Sequence, residues 1–74
     1  MKRDYHINIF YSDQDKGYIA DIPDLDACSA FGKTPAEALR EVEIARDVWL
    51  KAAKARRLRI PQPRYRPAIY QAVG

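Results

Sequence analysis

The chain has one cysteine, Cys28, and one histidine, His6. A single cysteine excludes an internal disulfide, and one cysteine with one histidine leaves no Cys/His set for a structural zinc. Long apolar runs are missing as well. Nothing approaches the roughly 18 residues that cross a bilayer, and the first residues alternate rather than build a signal-peptide core. No internal repeat and no low-complexity tract interrupts the chain. These absences point to a single domain over residues 1–74, expected in the cytoplasm, with no cofactor and no membrane contact. A chain this short buries only about 60% of its unfolded surface, so with no disulfide or metal to staple it, association into a homodimer or homotetramer is the expected remedy.

What is present is organised around one amphipathic helix. Thr34 suits the N-cap, Pro35 has its φ preset for the first helical position, and Glu37 follows the threonine by three residues. From there to about Arg57 no Gly or Pro intervenes. Leu39, Val42, Ala45, Val48, Trp49, Ala52 and Ala53 recur at spacings of three and four, which predicts one apolar stripe. A tryptophan at such a position packs more often than it recognises a ligand.

Upstream, Tyr5, Ile7, Ile9 and Tyr11 alternate with His6, Asn8 and Phe10, the period of a half-buried strand. Ser12 to Gly17 reads as a polar turn in which Gly17 supplies positive φ, and Tyr18 to Ile22 as the returning strand of an antiparallel hairpin. Pro23 ends that strand, Asp24-Leu25-Asp26 turns, and Ala27 to Phe31 is short and apolar enough for a third strand. Past the helix, Ile60-Pro61-Gln62-Pro63 is stiff and extended, and Ala68 to Val73 alternates as a last strand. The expected fold is α+β, in the order β-β-β-α-β, with an antiparallel sheet covered on one face by the helix. Tyrosines on both sides of that sheet suggest a dimer through its face or edge.

The net charge of +3 hides a division: residues 1–32 carry three basic and six acidic side chains, and residues 33–74 carry ten basic and four acidic. Clustered aspartates raise the question of a metal. Asp13 and Asp15 lack the third carboxylate and the glutamate of a calcium loop. Asp21, Asp24 and Asp26 fall within six residues, and no acid on a distant element completes a two-metal hydrolytic set. His6 has no serine or cysteine within predicted reach, and Cys28 sits where a cysteine acts as a small hydrophobe. The chain is therefore expected not to be an enzyme. At the other end, Lys51, Lys54, Arg56, Arg57, Arg59, Arg64 and Arg66 form a basic cluster with Tyr65 inside it. Solvated cations favoured by the helix C-terminus come first as an explanation, a protein partner second and nucleic-acid phosphates third.

Taken in order, these pieces resemble the HicB family, the antitoxin partners of HicA messenger-RNA interferase toxins. The resemblance rests on Tyr5 to Ile9, Gly17 to Leu25, Cys28 to Gly32, Thr34 to Leu39, the helix, and Ile60 to Pro63. It implies a partial ribonuclease H-like or double-stranded-RNA-binding-like α+β unit, and a HicA-like toxin as partner. Asp26-Ala27 stands where the family has a Pro-Gly pair, so the loop before Cys28 is expected to follow its own path. Typical members continue into a DNA-binding domain after this unit, and none is expected here. The implied function is neutralisation of a small basic toxin by docking, with Asp13, Asp15, Asp21, Asp24 and Asp26 as the complementary surface. The alternatives are an RNA- or DNA-binding regulator that uses the basic end, and an orphan homo-oligomer without a toxin.

Overall fold

The structure, a computed structural model, describes residues 4–66. The expected last strand at 68–73 lies outside them. Within them the order is β1 (Asn8–Ser12), β2 (Gly17–Asp21), β3 (Ser29–Gly32) and α1 (Pro35–Ala55). The three strands form one antiparallel sheet in the order β1-β2-β3. The register pairs Ile9 with Ala20 and Ala20 with Ala30 on one face, and Phe10 with Ile19 and Ile19 with Phe31 on the other. The helix covers the first of these faces, and among the described residues no element covers the second, the open face.

The helix start is built as its sequence dictates. Thr34 is extended, its hydroxyl oxygen accepts from the Glu37 N–H at 3.1 Å, and Pro35 opens the first turn. Glu37 reaches back one residue further than in the common capping box, accepting from the Lys33 N–H at 2.6 Å. The other end closes in a Schellman arrangement: the Leu58 N–H donates to the Ala53 carbonyl and the Arg57 N–H to the Lys54 carbonyl. Arg57 occupies the left-handed position there, with φ of 57°, where glycine is the usual choice.

The face that α1 turns to the sheet is offset from the expected stripe. Ala38, Val42 and Ala53 are buried, with Ala45, Trp49 and Leu50 packed against the core. Val48 is 63% exposed, Leu39 36% exposed and Ala52 is exposed as well, which corrects these three assignments. The reason lies at Gly32. A Cβ on that residue would stand 2.2 Å from the Ala38 nitrogen, so the first turn of the helix rests directly on the β3 backbone. That contact points Ala38 inward, and the steps of three and four from it run through Val42, Ala45, Trp49 and Ala53. Val48 falls about a quarter-turn away.

The helix lies mainly over β3 and β2 and reaches β1 least. Tyr5, just before β1, is buried and donates its hydroxyl to the Pro61 carbonyl, while Ile9 and Tyr11 at the far end of the same row stay exposed. The tyrosines of the hairpin do not flank the sheet. Tyr11 pairs with Tyr18 on the helix side, ring edge to ring face at 5.3 Å. The positive φ of the hairpin turn belongs to Lys16, at 58°, and not to Gly17. Gly17 is kept small for another reason: the Phe31 ring lies where its Cβ would be.

Candidate partner-binding site

Among the described residues no group of three or more His, Cys, Asp or Glu side chains is placed to hold a metal ion. No helix among them is long and apolar enough to cross a membrane. Cys28 is buried in the core, and that burial pushes its thiol up from the ordinary value, opposed in part by the charge of Arg46. A buried protonated thiol is a poor nucleophile.

The five candidate aspartates do not share one patch. Asp13 and Asp15 sit on the turn after β1, where the Ser12 hydroxyl donates to the Asp15 carboxylate and the Asp15 N–H returns a bond to the Ser12 hydroxyl oxygen. Asp21 sits at the other end of the hairpin, opposite Asn8, and Asp24 and Asp26 follow in the loop beyond it. A five-residue strand separates the two groups by roughly 14 Å along the sheet.

The loop from Asp21 to Ser29 is the more highly built of the two ends. The Ile22 N–H donates to the Cys28 carbonyl at 3.0 Å, and the Leu25 N–H to the Ile22 carbonyl at 3.1 Å. Ile22 and Leu25 plug the core, so the residues between them are presented outward on a fixed frame. The indole N–H of Trp49 donates to the Asp26 carbonyl at 2.9 Å and ties the loop to the helix. Asp24 is already engaged: its carboxylate accepts from the backbone N–H groups of Arg64 and Tyr65, each at 3.1 Å. Sequence reasoning missed this role because the two partners lie 40 and 41 residues away. Among the described residues the carboxylates of Asp21 and Asp26 make no hydrogen bond or ion pair.

Ala27 bears on the same loop. Its φ is 57°, a left-handed conformation that glycine favours. A left-handed alanine costs about 1 to 2 kcal/mol. Ala27→Gly should therefore raise stability by about 1 kcal/mol after the extra chain entropy of glycine is subtracted, and the thermal midpoint by about 4 to 8 °C. Thermal unfolding followed by circular dichroism checks it; an unchanged or lower midpoint contradicts the turn geometry.

The basic residues gather at the end of α1 and along the segment that follows. Lys51, Lys54, Arg56, Arg57, Arg59, Arg64 and Arg66 are all exposed, and among the described residues the side chains of the first six make no ion pair. Arg59 and Arg64 line an open groove of about 690 Å³ together with Asp24, Ile60, Pro61 and Gln62. The Tyr65 ring packs against His6, tilted by 44° at 4.6 Å between ring centres, and His6 is itself hydrogen-bonded to the Asn8 side chain. The acidic loop and the basic segment are thus neighbours, joined through Asp24.

The chain is similar to a UPF0150 protein of Synechocystis sp., with 36% identity over 53 residues that cover 72% of this chain and 73% of that protein. The chain belongs to the UPF0150 family. UPF0150 is the HicB-like family, in agreement with the resemblance carried by the strands, the cap and the helix. No family model and no solved structure matches this UPF0150 chain.

Proposed function

We propose that this UPF0150 protein is an antitoxin-type binding module that neutralises a small, basic, HicA-like mRNA interferase in the cytoplasm by docking on it. Membership of the HicB-like family is the observation that carries the reading. Binding rather than catalysis is consistent with the side chains present: the thiol is buried, and the carboxylates are divided between two ends of the sheet. The docking surface is the rigid loop that carries Asp21 and Asp26, with Asp13 and Asp15 at the far turn acting on encounter rather than on the final contact. Asp24, spent on the backbone of Arg64 and Tyr65, holds that surface in shape.

The test is affinity isolation of the tagged chain from RNase-treated lysate of its host, followed by binding kinetics with the recovered protein. A small basic protein in stoichiometric amount is expected. The double change Asp13→Asn and Asp15→Asn should slow association by about tenfold at low salt and leave dissociation nearly unchanged, as loss of steering charge does. Recovery of this chain alone would count against the toxin and leave an orphan homo-oligomer. A second reading is favoured by the six cations that make no ion pair among the described residues, which would suit nucleic-acid phosphates; it predicts that untreated lysate yields bound RNA or DNA whose retention falls steeply with salt.

A further inference from the structure

We propose that two copies of this chain pair antiparallel through the outer edge of β1, about a two-fold axis at Phe10. In the sheet order β1 is an edge, and among the described residues no strand pairs with its outer side. Edge strands of soluble proteins are normally protected from such pairing by lysine, proline, a bulge or a covering element. Asn8-Ile9-Phe10-Tyr11-Ser12 has no charge and no proline, and its register with β2 is continuous without a bulge. Its three large side chains are exposed on both faces of the sheet: Phe10 at 51% on the open face, Ile9 at 38% and Tyr11 at 52% on the helix side.

A second copy fits this edge better than an unrelated strand because the segment is complementary to itself. Rotation about Phe10 sets Phe10 against its own counterpart, Ile9 against Tyr11, and Asn8 against Ser12. No like charges meet, and each apolar residue finds an apolar one. Continuity points the same way. The open-face row Phe10, Ile19 and Phe31 becomes a six-residue row across both copies, and the helix-side row extends likewise past the limit of α1. The outer edge of β3 offers less, since that strand has four residues and ends at Gly32 under the first turn of the helix.

Sedimentation velocity and cysteine cross-linking test this pairing on the full chain. The unmodified protein is expected to sediment as a dimer and, with its one thiol buried, to form no disulfide under mild oxidant. Phe10→Cys should cross-link to itself, because residues directly opposite in an antiparallel pair stand about 4.5 to 5.5 Å apart at Cα, within disulfide reach. Ser12→Cys alone should not, whereas a mixture of Asn8→Cys and Ser12→Cys chains should. Phe10→Lys, which puts two like charges on the axis at a position outside the core, should give a folded monomer by circular dichroism. A monomeric unmodified protein would overturn the proposal, as would a dimer in which Phe10→Cys fails to cross-link.

Discussion

Gly32→Ala is expected to remove about 3 kcal/mol of stability or more, the upper end of the cost of overpacking and a large share of what a chain of this length possesses. A domain of 74 residues has about 4 to 11 kcal/mol in all at the usual yield per residue. The added Cβ would stand 2.2 Å from the Ala38 nitrogen and 2.7 Å from the Ala38 Cα and the Glu37 carbonyl carbon. All three are backbone atoms of the first helical turn, so no rotamer change relieves the overlap. The helix must lift or slide, and doing so strips Ala38 and Val42 from the core and disturbs the bonds among Thr34, Lys33 and Glu37. Gly17→Ala meets the ring of Phe31 instead, a half-exposed side chain that can swing into solvent, and should be the milder change. Urea unfolding of the two variants orders them; equal midpoints would mean that the helix does not seat on the Gly32 backbone.

Leu25→Ala should cost about 2 to 5 kcal/mol, the range for emptying a buried leucine site. Leu25 is among the largest fully buried side chains, although it lies in a loop. It fills the core beneath the turn while the residues on either side, Asp24 and Asp26, point outward. Removing it takes away the apolar plug that holds the backbone bonds from Ile22 to Cys28, so the loop should loosen before the rest of the domain unfolds. Leu25→Met, which conserves volume, should cost less than about 1.5 kcal/mol. Denaturant midpoints give the energies, and hydrogen exchange at the Leu25 and Cys28 amides locates the loosening. Full protection of those amides in Leu25→Ala would contradict the role given to the plug.

The features that could be read from sequence are those set by near neighbours. The alternation before Ser12, the polar turn and the Thr34-Pro35-Glu37 cap each depend on residues within four positions, and the hairpin and helix follow them. The phase of the helix was not readable. Val48 is more hydrophobic than Ala38 and took its place in the expected stripe, yet the inward face is set by an alanine that can touch the Gly32 backbone, a contact between two elements. Lys16 adopts the left-handed conformation expected of Gly17 because the small residue is needed one place later, under Phe31. At the candidate site, a count of aspartates treats five residues alike. The fold separates Asp13 and Asp15 from the others and turns Asp24 into an acceptor for the chain past the helix, a role defined by residues some forty positions away.

In the proposed function the chain silences a ribonuclease by direct contact. The most direct measurement is RNA cleavage by the recovered partner, purified apart and titrated with this protein. Cleavage is expected to stop at a fixed stoichiometric ratio, and a chain with Asp21 and Asp26 changed to asparagine should need a higher concentration to reach the same end. Cleavage that continues undiminished in excess of a folded chain would contradict it.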